Sequence, residues 1–527
     1  MKNFSRSVIT TFVFILFPFA VSAEDFDLII HDANIYDGSG AQYYQADVGI
    51  KGERIQAIGD LKGSVAPIEI DAKGLALAPG FIDLHTHAER GLLQTPLIPN
   101  LVQQGITTIL GGNCGGSPVN IADYFAKVEK LKIGPNLGIL IGHNSVRQEI
   151  MGTEDRLATE GEIAAMKAIV NSSMEAGAYG LSTGLKYVPG VYSNTAEVIE
   201  LAKTAAKHGG FYTSHMREEG VGLLPAIEEL LNIGIEADLP VHISHHKAIG
   251  LLSWGASEKS LAMINAARAA GQDVTLDQYP YIASSTKFAI LFPAWSLAGG
   301  NDAFNARLDD PEQRQKIKDG LIHIIKTDRG GGDPARIQVA QFKPDPSLNG
   351  KTFKDILVER KLELSMENTA ELAIEIQRQG GGQAIYHAMD EGDVRRIMQY
   401  PFTSIATDAS TITFGEGNPH PRNYGTYPRV LGKYVREDKV LSLPEAIRKM
   451  TSLPASRMGI KDRGLVREDY YADLVLFDHM TVADKATFIN PHQHATGIVY
   501  VIINGAIAKS VDGLTDIGSG KILRHKL

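Results

Sequence analysis

Short apolar segments recur along the middle of the chain, and each of them ends in polar or glycine-rich residues. Eight of them are candidate strands: GFIDLHTH, TTILGGN, LGILIGHN, AYGLSTG, GFYTSHM, PVHISHH, DVTLDQYPY and TSIATDAS. Helical patterns such as EGEIAAMKAIVNSSMEAG and TAEVIELAKTAAKHG separate many of them. Because parallel strands need helical crossovers, this alternation predicts an α/β fold, and eight repeats of it favour a (β/α)₈ TIM-type barrel.

The two ends of the chain have a different pattern, of short strands and turns. FDLIIHDANIYDG and IEIDAKGLALAPG lie near the start, and YADLVLFD and GIVYVIINGAIAK lie near the end. At 527 residues the chain is too long for one core. We therefore predict one small β domain built from residues 24–79 and 455–527, and a barrel over residues 80–454.

One long stretch interrupts the alternation after the seventh strand. It begins TKFAILFPAWSLAGGNDAFNARLDDPEQRQ, and we place it at about residues 286–350. Long structured loops in compact domains are often lids or binding loops. We expect a lid-like insertion over the barrel.

The first 23 residues read as a secretory signal peptide. Lys2 and Arg6 precede the apolar run VITTFVFILFPFAV, and VSA precedes EDFDL, which predicts cleavage after Ala23. We expect a secreted or periplasmic protein with no stable membrane insertion after cleavage. The net charge of −9 argues against nucleic acid as a partner, and the single cysteine, Cys114, excludes a disulfide within the chain.

Possible metal ligands stand at the ends of five candidate strands. His85 and His87 are two residues apart, so their side chains share one face of a strand. The full set is His85, His87, Cys114, His215, His245 and Asp408. Strand ends converge at one face of a barrel, and imidazole, thiolate and carboxylate are the ligands of zinc. The pattern predicts a zinc site.

Several motifs make the chain resemble the N-acyl-D-amino-acid deacylases (D-aminoacylases) of the amidohydrolase superfamily. The HxH of PGFIDLHTH is shared by many amidohydrolases, whereas GNCG together with SHHK and HPRNYGTYPRVLG is much more specific. SHMREEG and DQYPYIASST match as well. The resemblance covers essentially the whole mature chain. It implies zinc-dependent hydrolysis of the amide bond of N-acyl-D-amino acids, which are small-molecule substrates.

The resemblance also implies roles for single residues. Cys114, His215 and His245 would form a tight zinc site, and His85 and His87 would share Cys114 with a second, weaker metal. Asp408 would be the catalytic acid and base, and Tyr187 would lie near the scissile carbonyl. The residues that would position the substrate, chiefly its carboxylate, are Lys247, Tyr279, Ser285 and Arg422.

Two alternatives stay open at this point. Lys186 lies where many amidohydrolases carry a carboxylated lysine that bridges two metals, which would suit a cyclic-amide hydrolase of the dihydroorotase or hydantoinase kind. A dipeptidase that acts on a C-terminal D-residue is the other possibility. A non-catalytic binding protein on the same barrel is disfavoured by Asp408, because a binder does not need a carboxylate beside an open metal position.

The start of the insertion predicts the substrate side chain. Phe288, Leu291, Phe292 and Trp295 would overhang the pocket, with Lys287 as the one charge among them. A buried carboxylate needs a paired cation, so this composition favours an apolar side chain over an acidic one.

Overall fold

The computed structural model describes residues 26–526, so the predicted signal peptide lies outside the described residues. The described chain begins with five strands of a β-sheet. They are β1 (Leu28–Ile35), β2 (Tyr44–Lys51), β3 (Arg54–Gly59), β4 (Ile68–Asp71) and β5 (Ala76–Pro79). Gly80 then leads the chain directly from this sheet into the barrel.

The barrel begins with strands that match the predicted apolar segments. They are β6 (Phe81–Asp83), β7 (Ile106–Gly111), β8 (Asn136–Ile139), β9 (Ile141–Gly142), β10 (Gly180–Gly184), β11 (Phe211–His215), β12 (Val241–Ile243) and β13 (Val274–Gln278). The intervening helices are α1 (Pro99–Val102), α2 (Ile121–Val128), α3 (His143–Met151), α4 (Glu160–Glu175), α5 (Thr195–Ala206), α6 (Leu223–Ala237) and α7 (Ser257–Ala269). The third predicted strand is split at Leu140: β8 pairs with β7, and β9 pairs with β10.

The insertion that follows β13 has an antiparallel sheet and a core of its own. Its elements are β14 (Ser284–Lys287), α8 (Gly300–Asp309), α9 (Pro311–Ile324), β15 (Ile337–Gln341), α10 (Phe353–Glu359), α11 (Met366–Arg378) and β16 (Gln383–Tyr386). Its core runs from Phe288 to Tyr386, so the insertion ends beyond the predicted residue 350. The extra part consists of two ordinary amphipathic helices and a strand, which in sequence look like one more barrel unit.

The eighth strand, β17 (Thr403–Ile405), closes the barrel. It pairs in parallel with β13, and a parallel bridge between Thr86 and Ala409 joins its end to the end of β6. Every neighbouring pair around the ring is parallel, which confirms the (β/α)₈ barrel. The remaining helices are α12 (Glu391–Gln399), α13 (Arg422–Arg429), α14 (Leu443–Met450) and α15 (Ser452–Met458).

The chain then returns to the first sheet. The last strands are β18 (Leu474–Phe477), β19 (Ile498–Ile503), β20 (Ala506–Ser510) and β21 (Gly513–Leu514), and they complete a nine-stranded sheet through the antiparallel pair β18–β5. Alternate residues of a strand face opposite sides. Val475 and Phe477 accordingly pack into the barrel core, while Leu474 and Leu476 pack into the core of the sheet.

None of the helices in residues 26–526 has the length and apolar character that a membrane span requires.

Candidate metal centre and active site

His85 and His87 follow β6 and meet Asp408, which follows β17. Backbone hydrogen bonds continue the pairing of the two strands: Asp408 N donates to His85 O at 2.8 Å, and His87 N donates to Ala409 O at 2.7 Å. The Nε2 atom of His87 lies 3.2 Å from an Asp408 carboxylate oxygen, and that of His85 lies 3.7 Å from it. Barrel closure therefore brings the first and last predicted ligands together.

Cys114 lies between two pairs of histidines. Its Sγ is 3.3 Å from His85 Nε2, 3.4 Å from His245 Nε2 and 3.9 Å from His215 Nδ1. His215 Nδ1 and His245 Nε2 are 2.7 Å apart. The predicted histidine and cysteine ligands thus form two overlapping triads, His85–His87–Cys114 and Cys114–His215–His245.

Three of the converging residues have left-handed backbone conformations. Cys114 has φ +52°, His245 has φ +37° and Asp408 has φ +50°. Non-glycine residues rarely adopt this region, and such strain concentrates at functional sites. The strain here aims three donor side chains at one point.

The triad of Cys114, His215 and His245 fits a zinc ion. Ligand atoms of a tetrahedral zinc with one sulfur and two nitrogen donors lie about 3.3–3.6 Å apart. The two sulfur–nitrogen separations, 3.4 and 3.9 Å, are close to this, and the imidazole nitrogens, at 2.7 Å, would move slightly apart. Burial raises the pKa of the Cys114 thiol, but His85 and His245 outweigh burial and hold the pKa well below its ordinary value, which favours the thiolate.

The second triad shares the same sulfur. His87 Nδ1 is buried without a hydrogen-bond partner in the described part of the chain, and His87 Nε2 faces Asp408. His85 Nδ1 is 3.4 Å from Asp277, whose carboxylate also lies 2.7 Å from His242 Nε2. A second ion could be held here by the two histidines and the shared Cys114.

Asp408 is buried and ionised. Burial raises the pKa of its carboxyl group, but Arg422 and His87 outweigh burial and hold the pKa below its ordinary range. Arg422 Nη1 lies 2.8 Å from Asp408 Oδ2, and its guanidinium stacks over the Tyr279 ring at 4.8 Å. Asp408 therefore has one oxygen paired with Arg422 and the other directed at the histidines.

Tyr187 faces the tighter triad. Its hydroxyl lies 3.3 Å from His215 Nδ1 and accepts a hydrogen bond from Thr286 at 3.1 Å. Burial raises the pKa of Tyr187 far above its ordinary value, so the hydroxyl stays neutral and can donate.

Lys247 and Ser285 also lie at the cavity, but their contacts differ from those expected of groups that are free to bind the substrate. Lys247 Nζ is 2.5 Å from Glu219 Oε1 and 2.7 Å from His245 Nδ1. The backbone carbonyl of Ser285 accepts a hydrogen bond from Arg422 at 3.3 Å, while the side chain borders the cavity. Glu219, which sequence reasoning missed, touches the metal-facing histidines and Lys247 together.

A cavity of about 1190 Å³ lies between the barrel and the insertion, and the metal triads open into it. Phe288 and Leu291 are buried in the core of the insertion, so they do not line the pocket as predicted. Among the described residues of the insertion, Ile290, Phe292 and Leu297 are apolar side chains that do line it, whereas Trp295 does not.

The insertion also places Arg329 at the cavity, in a π-helical turn, Ile325–Arg329. Its guanidinium is almost fully buried, and its Nε forms an ion pair with Asp328 at 3.3 Å but has no hydrogen-bond partner in residues 26–526. The sequence offered no signal for Arg329. It lies far along the chain from every motif, so its position in the fold could not be predicted.

Lys186 does not join either triad. Its amine lies 2.6 Å from Glu218 and 3.3 Å from Asp328, which are the partners of an ammonium group. Cys114 already supplies the anion between the two triads. These contacts disfavour the carboxylated lysine of the cyclic-amide alternative.

Comparisons with known proteins agree with this geometry. A family model described as "Amidohydrolase family" matches residues 69–272 and 360–508. The D-aminoacylase of Alcaligenes xylosoxydans xylosoxydans is 36% identical over 95% of this chain and 98% of its own length. The N-acyl-D-aspartate deacylase of the same organism is 36% identical over 91% of each chain. The solved N-acyl-D-glutamate deacylase from Bordetella bronchiseptica, complexed with zinc and a phosphonate inhibitor, has 33% identity and a TM-score of 0.81 over 95% of this chain and 100% of its own.

A (β/α)₈ barrel that gathers thiolate, imidazole and carboxylate groups at the carboxyl ends of its strands belongs to the class of metal-dependent hydrolases. The identity extends over nearly the whole chain, and the family model matches most of the barrel. The chain belongs to the amidohydrolase family, in its N-acyl-D-amino-acid deacylase branch.

Proposed function

We propose that the protein is a zinc-dependent deacylase that cleaves N-acyl-D-amino acids to a carboxylate and a free D-amino acid. The observation that carries the proposal is the triad of Cys114, His215 and His245 beside the ionised Asp408 in one cavity. The names of the relatives support the D-configuration and the linear amide.

The reaction needs an activated water, a stabilised oxyanion and a protonated leaving amine. Cys114, His215 and His245 would hold a zinc ion, which when bound would lower the pKa of water to about 7 and polarise the substrate carbonyl. Asp408 accepts the proton of the attacking water and passes it to the leaving nitrogen. Tyr187 donates its O–H to the developing oxyanion, an interaction typically worth about 2.7–4 kcal/mol.

Arg422 and Tyr279 form the wall that would receive the substrate carboxylate. Arg422 stacks on Tyr279, and Lys247 lies 5.8 Å from the centre of the same ring. A guanidinium can bind a carboxylate through two parallel hydrogen bonds. Because Lys247 is held by Glu219, its charge adds to the positive potential of this wall without a direct contact. Arg422 and the Tyr279 hydroxyl are the groups that donate directly to the substrate carboxylate.

We further propose an apolar substrate side chain, supported by Ile290, Phe292 and Leu297 rather than by Phe288, Leu291 and Trp295. Lys287, Arg329 and Lys343 also line the cavity and are cations of the kind that an acidic side chain would need. The relatives include enzymes named for acidic substrates, so the side chain needs its own measurement.

A substrate panel tests the function. We expect kcat/KM to be highest for N-acetyl-D-Leu and N-acetyl-D-Phe, lower for N-acetyl-D-Glu, and negligible for N-acetyl-L-Leu and for cyclic amides. N-acetyl-D-leucinamide, which lacks only the carboxylate, is the matched control for the carboxylate wall. Preference for the L compound or for a cyclic amide would refute the deacylase, and preference for D-Glu would refute only the side-chain proposal.

We also propose that the protein is exported and cleaved after Ala23, on the basic and apolar pattern of residues 1–23. Expression of the full chain in a Gram-negative host, followed by fractionation and N-terminal sequencing, tests this. We expect periplasmic protein that begins at Glu24. Cytoplasmic protein with an intact Met1 would contradict it.

A further inference from the structure

Glu219 is a buried carboxylate that the proposed mechanism does not use. It follows β11 and is 2% exposed. Its Oε1 lies 3.0 Å from His245 Nδ1, and its Oε2 lies 3.5 Å from His215 Nε2. In both imidazoles these are the nitrogens that point away from Cys114. One carboxylate thus faces the outer nitrogen of both histidines of the tighter triad, within hydrogen-bond distance of His245 Nδ1, whereas His215 Nε2 has no hydrogen-bond partner in residues 26–526.

The outer nitrogen of a histidine decides what its inner nitrogen can do. A neutral imidazole carries one proton, so a proton on the outer nitrogen leaves the inner nitrogen free to bind a metal. A carboxylate that accepts this outer N–H fixes both the tautomer and the ring orientation. His245 Nε2 and His215 Nδ1, which lie 3.4 and 3.9 Å from Cys114 Sγ, are the inner nitrogens here.

Lys247 competes for the same nitrogen. Its Nζ lies 2.7 Å from His245 Nδ1, and an ammonium group can only donate. If Lys247 donates to Nδ1, the proton of His245 moves to Nε2 and the metal-facing nitrogen is blocked. Glu219 Oε1 lies 2.5 Å from Lys247 Nζ, so it engages the ammonium and accepts from His245 at the same time.

We propose that Glu219 is the positioning residue of the metal centre: it selects the metal-binding tautomer of His245, directs its charge toward the outer nitrogen of His215, and withholds the Lys247 ammonium from His245. This inference rests on the metal site of the proposed function. It makes Lys247, in the absence of the Glu219 charge, an inhibitor of metal binding.

Metal affinity measured without substrate tests this. We expect Glu219→Gln, which keeps the shape and removes the charge, to weaken zinc binding 10–100-fold in competition with a chelator. Glu218→Gln is the matched control, because the adjacent Glu218 pairs with Lys186 and not with a histidine of the triads. Its zinc affinity should equal that of the wild type, and the circular-dichroism spectra of the three metal-free proteins should agree, although Glu219→Gln lowers Tm because it leaves the buried Lys247 unpaired.

The double variant Glu219→Gln/Lys247→Met separates tautomer selection from general packing. Removal of the competing ammonium should restore at least part of the lost zinc affinity. Wild-type affinity in Glu219→Gln would overturn the proposal, and so would a double variant that binds as weakly as the single one. If Glu219→Gln does not fold, Glu219→Asp, one methylene shorter, takes its place and should also bind zinc more weakly.

The outcome is independent of the substrate. If the variants bind zinc as expected but the wild type hydrolyses no N-acyl-D-amino acid, the proposed function is refuted and the role of Glu219 stands.

Discussion

The thiol of Cys114 is the one donor that both triads share. Its left-handed backbone and three imidazole neighbours indicate a metal ligand and not a small side chain that only fills space. We predict that Cys114→Ala loses most of its zinc and its activity, because two histidines remain where three donors stood. Metal analysis of the purified variant, with wild type beside it, checks this. Tight zinc and normal turnover in the variant would show that Cys114 is not a ligand.

Asp408 differs from the metal ligands in what its loss should do. Asp408→Asn keeps the shape and removes the proton carrier, so we predict normal zinc content and a fall in kcat of several orders of magnitude. Single-turnover kinetics with N-acetyl-D-Leu measures the chemical step directly. A kcat within tenfold of the wild type would assign the proton transfer to another group.

The sequence could predict the donors but not the groups that orient them. His85, Cys114 and Asp408 stand at strand ends, and barrel topology alone makes strand ends converge. Glu219 acts through its neighbours in space, and SHMREEG contains two adjacent glutamates that only the fold distinguishes. Arg329 comes from the inserted segment, whose path the periodicity of the chain does not encode.

Among the elements, the strands were the most predictable. Parallel barrel strands are buried on both faces, so they appear as continuous apolar runs bounded by turn residues. The sequence pattern did not predict the break of the third strand at Leu140 or the end of the insertion. A helix such as α11 has the same amphipathic pattern whether it packs on the barrel or in the core of the insertion, so the sequence did not reveal that the insertion continues to Tyr386.

The packing of α14 against the start of β17 depends on a buried lysine. Lys449 Nζ donates to the carbonyl oxygens of Tyr400 and Thr403, at 2.5 and 3.2 Å. Burial lowers the pKa of Lys449 from 10.5 to about 8. Between pH 8 and 10.5 the unfolded chain therefore binds more protons than the folded one, and the free energy of unfolding rises with pH in this window.

We predict that the free energy of unfolding of wild type relative to Lys449→Met increases from pH 8 to pH 10.5, by on the order of 3 kcal/mol. Denaturant titrations at several pH values measure it, and Lys62→Met, at an exposed lysine, is the control. A difference that is flat with pH would show that Lys449 titrates normally.

In the molecule as a whole, one sheet depends on both ends of the chain. Strand β5 is held on one side by β18, with Ala78 opposite Val475. We predict that truncation after residue 470 exposes β1 and β5 to hydrogen exchange although both lie in the retained part. Mass spectrometry of peptides from residues 26–79 measures this, with removal of only residues 526–527 as the control. Unchanged protection of β1 and β5 would show that the N-terminal strands are stable without their partners.

The pairing of β5 with β18 also has a consequence for biosynthesis. A ribosome makes β5 early and β18 only after the whole barrel and its insertion have been translated. Until then the nascent polypeptide carries an unpaired strand edge, and such edges recruit other chains. The contact cannot form before β18 has been made, so the early strands need protection from aggregation until then.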